Sequence, residues 1–87
     1  MTTIRLREQD LDWRDIQDEI VALDTLGAMY YVLRGTGAVV WRLLAYSTTP
    51  DEIVERLVET YGIDQTRAAD DVDHFLATLK GRGLLAS

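Results

Sequence analysis

An α+β fold, with three antiparallel strands followed by three helices, is predicted by three observations. Stretches rich in alternating, β-branched and aromatic residues end at Leu33, whereas apolar residues at helical spacing fill the rest of the chain. Helix-capping residues stand at the starts and ends of those later segments. The connections between strands are short or moderate, which favours a meander, and short amphipathic helices must then pack on one another and on one face of the sheet. The arrangement is winged helix-turn-helix-like.

In chain order, Ile4-Arg5-Leu6-Arg7 alternates apolar and polar, and predicts a half-buried strand over residues 3–8. Residues 8–17 are polar and acid-rich with Leu11, Trp13 and Ile16 as anchors, and read as a long loop. EIVALD gives a second strand at 19–24. Asp24-Thr25-Leu26-Gly27 has hairpin-turn chemistry, with Gly27 available for a positive φ. AMYYVL gives the third strand at 28–33. Alternation points Met29, Tyr31 and Leu33 inward and Tyr30 and Val32 outward. Because both sets are apolar, the strand reads equally as fully buried or as an edge that accepts another chain.

Thr36 is placed to cap a first helix, about 36–46, striped by Val39, Val40, Leu43 and Leu44 and widened by Trp41. Thr49 with Glu52 forms a capping box, and Pro50 suits the first helical position of a second helix over 50–61. Gly62 stops it. Asp64 or Thr66 opens a third helix, about 65–82, with Ala68, Ala69, Val72, Phe75, Leu76 and Leu79 on its buried face. Leu84 and Leu85 form an apolar tail expected to fold back onto the core.

Composition restricts the function. The chain has 87 residues, 47 % of them hydrophobic and 28 % charged, as in one small globular domain with little room for a deep active site. It has no cysteine, so neither a disulfide nor a thiolate metal site can form. The absence of a long apolar run or a signal-like N-terminus makes a cytoplasmic location, away from the membrane, the expectation. The net charge of −6 disfavours nucleic acid.

Catalytic motifs are missing. His74 pairs only with Asp70 at metal-ligand spacing, and two ligands are not a site. Ser47 and Ser87 lie outside any nucleophile motif, and Gly35-Thr36-Gly37 lacks the length and lysine of a phosphate loop. Asp70, Asp71 and Asp73 would repel phosphate if the third helix entered a DNA groove. The sequence therefore predicts a binding module with no catalytic residue, metal or cofactor.

The stretch MYYVLRGTGAVVWRLLAYSTTPDEIVERLVETYGID, continued by DDVDHFLATLKGRGLL, resembles the PqqD-like family, the peptide-recognition elements of ribosomal peptide-modification pathways. The resemblance runs from about Glu19 to Leu85. Within the family the chain is most similar to the stand-alone recognition proteins of lasso-peptide biosynthesis. It implies a partner set: the leader of a precursor peptide, a cysteine-protease-like leader peptidase and an ATP-dependent macrocyclase.

It also implies how the leader binds, as an antiparallel strand added to the third strand, against the third helix. The binding residues it implies are Ala28, Met29, Tyr30, Tyr31, Val32 and Leu33 on the strand, and Arg67, Ala68, Asp71, Val72 and Phe75 on the helix. Tyr30, Val32, Val72 and Phe75 would line apolar pockets between them, though Val72 and Phe75 read equally as plain core. Asp70 or Asp71 would pair with a basic leader residue. An uncovered edge could also pair with itself, giving a homodimer without peptide. Two rival readings are a winged-helix transcriptional regulator and a peptide chaperone for a radical-SAM enzyme.

Overall fold

Two hairpins build the sheet. The computed structural model describes residues 2–86, with β1 (Leu11–Ile16), β2 (Glu19–Asp24), β3 (Met29–Leu33), α1 (Gly35–Ala45), α2 (Pro50–Tyr61) and α3 (Gln65–Gly81) in order. The strands run antiparallel in the order β1-β2-β3, giving the expected α+β fold with its winged-helix-like succession of sheet and helices.

The first strand is not where alternation put it. Residues 3–8 make only two isolated bridges, Ile4 with Thr48 and Leu6 with Leu85. Their alternation is real, since Leu6 is buried and Ile4 half-buried, but their backbone partners are a loop and the C-terminal tail. The segment is a strap: Arg7 N–H donates to Leu84 O at 2.8 Å, and Ala86 N–H to Arg5 O at 2.9 Å. The predicted loop at 8–17 instead contains β1. Leu11 and Trp13 face inward, and the third inward position, Asp15 opposite buried Ile20, carries a carboxylate. That carboxylate receives two hydrogen bonds from Arg42 of α1, at 2.6 and 3.0 Å. A charged residue on the inner face conceals the period of two.

Asp24 organises the β2–β3 hairpin. Its buried carboxylate accepts N–H groups from Leu26 at 3.1 Å and Gly27 at 3.0 Å and pairs with Arg7. Arg7 also donates to Gln9 O and Gly83 O, so one guanidinium joins the strap, the hairpin and the C-terminal tail. Gly27 is glycine for a different reason from the one expected. The left-handed residue is Ala28, at φ +55°, whereas a Cβ on Gly27 would lie 2.7 Å from Asp24 Oδ2. Ala28→Gly should therefore raise stability by roughly 1 kcal/mol, and Gly27→Ala should lower it by about 1–3 kcal/mol, both read from urea midpoints.

The hydrogen bond from Gly27 is the largest influence holding the Asp24 carboxyl below its ordinary value of 3.8, with Arg7 adding to it and burial opposing. For Asp15 the bond from Arg42 does the same. A carboxyl depressed in the folded state stabilises the fold above its unfolded pKa, and that stabilisation is lost as pH falls below it. The thermal midpoint should thus drop as pH falls below about 4, and Asp24→Asn should show a flatter acid limb in a calorimetric series.

The helices start and stop largely as their capping residues dictate. Thr49 accepts the Glu52 N–H at 3.2 Å, and Gly62 closes α2 at φ +64°. Asp64 accepts N–H groups from Thr66 and Arg67 at the start of α3. Thr36 does not cap α1: the helix begins one residue earlier, with Arg34 at its N-cap and no side-chain cap. Trp41, Leu44, Ile53, Leu57, Leu79 and the folded-back Leu84 form the core with Ile20 and Ala22 of β2. The opposite face of the sheet leaves Ile16, Leu23, Tyr30 and Val32 exposed.

Candidate functional site

β3 is an edge strand. It pairs only with β2, and among the described residues no strand lies along its other side. Alternate N–H and C=O groups of an antiparallel edge strand point away from its partner and await a guest.

α3, which packs on α2, lies near this edge, and Gly37 of α1 joins the two. A Cβ built on Gly37 would sit 3.6 Å from Leu33 Cδ2 and 3.9 Å from Phe75 Cε1. Leu33 of β3 and Phe75 of α3 thus flank a glycine floor. A pocket of about 240 Å³ continues from there between the helices, walled by Val40, Leu57, Ile63 and Val72, with exposed Asp71 and His74 supplying polar atoms. Further along β3, the Arg82 guanidinium lies over the Tyr31 ring, 5.6 Å from its centre, and links the end of α3 to the strand.

The implied binding residues divide by position. Met29, Tyr30, Tyr31, Val32 and Leu33 make up β3, and Ala28 stands in the turn before it. Tyr31 and Leu33 pair with buried Ala22 and Ile20 and face the helices. Tyr30 and Val32 pair with Leu23 and Val21 on the open face, so they cannot line a pocket between strand and helix as expected; only their backbone lies at the edge. On α3, Arg67 and Asp71 are exposed and Phe75 is half-buried. Ala68 and Val72 are core residues, Val72 reaching the pocket with one side. Gly37 and Arg82 were missed. Gly37 reads as an ordinary turn residue, and Arg82 as a basic residue at a helix end.

Among the described residues, no group of three or more His, Asp or Glu side chains is placed to hold a metal. No helix is long and apolar enough to cross a membrane.

The family model described as coenzyme PQQ synthesis protein D (PqqD) matches residues 19–85. Two solved structures are similar over nearly the whole chain. One is TbiB1 in complex with the TbiA(beta) leader peptide, at 28% identity, covering 95% of each chain with a TM-score of 0.87. The other is lasso peptide synthetase B1 complexed with the leader peptide, at 27% identity, covering 97% of this chain and 98% of the other with a TM-score of 0.79. No curated protein sequence matches the chain.

Proposed function

The chain belongs to the PqqD family, and from that premise we propose that it is a non-catalytic, cytoplasmic protein that recognises the leader of a ribosomally made lasso-peptide precursor. The leader adds as an antiparallel strand to β3, in the groove against α3, and the bound precursor is delivered to a leader peptidase and an ATP-dependent macrocyclase. The observation that carries this reading is the open edge of β3 running beside α3 over the Gly37 floor. Both similar structures hold leader peptides, which supports the same ligand class here.

The energetics require both the edge and the pocket. Four or five edge hydrogen bonds at roughly 0.5–1.5 kcal/mol each give only a few kcal/mol. Micromolar binding needs about 8 kcal/mol after the cost of association. Apolar anchors against Leu33 and Phe75, at about 1.5–3 kcal/mol for each well-buried side chain, supply the difference.

The test is fluorescence anisotropy with a labelled cognate leader peptide. Saturable binding is expected, and no saturation at tens of micromolar overturns the reading. The family description favours one alternative, a peptide chaperone in cofactor synthesis. A neighbouring radical-SAM gene in place of a peptidase and cyclase would select it.

A further inference from the structure

Four residues of α3 and its cap form one stripe along the groove. Asp71, Phe75, Thr78 and Arg82 follow one another at helical spacing and fall within about 60° of the helix circumference at 3.6 residues per turn. Phe75 marks the Leu33 end of β3 and Arg82 the Tyr31 end. β3 and α3 therefore run in opposite directions along the groove. Asp71 stands one turn beyond Phe75, so from Asp71 to Arg82 the stripe is negative at one end and positive at the other, and exposed Arg67 stands a further turn beyond Asp71.

Arg82 has the geometry of a reader. Arg5, Arg7, Arg34 and Arg42 each pair with a carboxylate, whereas among the described residues Arg82, like Arg14, Arg56 and Arg67, has none within salt-bridge distance. Its guanidinium is instead held against the Tyr31 ring, on the inner face of the edge strand. The cation–π contact holds the group beside the strand, and a guanidinium can grip a carboxylate with two hydrogen bonds. In a chain of net charge −6, an exposed and unpaired arginine on the groove is a specific invitation to an acidic group.

We propose that Arg82 and Asp71 select the charge order of the bound peptide: an acidic residue against Arg82, preceded by a basic residue against Asp71. The inference rests on the strand-addition reading above. The rise from Asp71 to Arg82 is about 16 Å at 1.5 Å per helical residue, and because only alternate side chains of an extended peptide face α3, it is bridged by residues about four or six positions apart. A peptide antiparallel to β3 runs in the same direction as α3, so its basic residue comes first. Over the span from Asp71 to Arg82 the reverse direction would set like charges together.

The experiment is selection of random displayed peptides on the full-length chain and on its Arg82→Glu and Arg82→Gln variants. Circular dichroism melts check that the variants fold. Wild-type selections should enrich an acidic residue about four or six positions after a basic one, because only alternate side chains of the guest strand face α3. Arg82→Glu should lose that acid and favour a basic residue in its place. Changing the acid of a selected peptide to Gln should weaken binding to the wild type about tenfold at low salt and leave binding to Arg82→Gln unaltered. Peptides that need the β3 edge but show no acidic preference, or selections unchanged by Arg82→Glu, overturn the charge reading and leave strand addition standing. If no selected peptide depends on β3, both fall.

Discussion

Proline at one of two adjacent positions, Tyr31 and Val32, should weaken leader binding about a hundredfold in a protein that still folds, while proline at the other should unfold the hairpin. Neighbouring N–H groups on a strand point to opposite sides. One of the two is therefore bonded into the β2–β3 ladder and the other faces the open edge. Proline removes whichever N–H it replaces, and its ring projects where that hydrogen pointed. At the ladder position this breaks the sheet from within. At the edge position it deletes one guest bond, worth about 0.5–1.5 kcal/mol, and blocks close approach of the adjoining residue. Together these should reach about 2.7 kcal/mol, the equivalent of a hundredfold change. Alanine at the same two positions is the control, because it removes the side chain and keeps the N–H. Anisotropy with the labelled leader reads the binding, and circular dichroism reads the fold. If the folded proline variant binds as its alanine control does, the guest does not use this edge.

The parts of the molecule differ in how far the sequence reveals them, and the reason is local. α2 and α3 were legible almost to the residue because Thr49, Pro50, Gly62 and Asp64 act on their own backbone neighbours. β1 was not, because Asp15 breaks the apolar alternation and is satisfied by Arg42, far away in sequence. The strap at 3–8 shows the converse. Its alternation records burial on one side, which a strand and an extended segment share. Gly27 and Ala28 exchanged roles because close approach to Asp24 depends on a side chain folding back across the turn.

The candidate site was legible on its strand and obscure across the groove. An apolar run at the end of a meander identifies β3, and the structure decides which tyrosine faces the helices by pairing Tyr31 with buried Ala22. The other wall depends on how α1 and α3 approach, which no local pattern records. Gly37 as the floor and Arg82 over Tyr31 are products of tertiary packing alone.

Trp41→Ala should cost about 3–5 kcal/mol. Trp41 is wholly buried in α1 and meets the ring of Trp13 of β1 edge-on, with centres 6.3 Å apart and planes at 80°. It therefore fixes the distance between the sheet and the helix that carries the Gly37 floor. A domain of this size has only about 4–13 kcal/mol to lose, so the alanine variant should be marginal or unfolded at room temperature. Trp41→Phe should cost much less. Among the described residues the indole N–H of Trp41 has no hydrogen-bond partner, and an unsatisfied buried donor carries a penalty of about 1–3 kcal/mol that phenylalanine would not bear. The smaller ring gives back part of that gain as lost packing. Urea unfolding followed by circular dichroism compares the two variants, with Trp13 fluorescence as a second probe. An alanine variant within 1 kcal/mol of the phenylalanine one would mean that sheet and helix hold their spacing without this side chain, and the groove geometry would then have to originate in the Asp15–Arg42 pair instead.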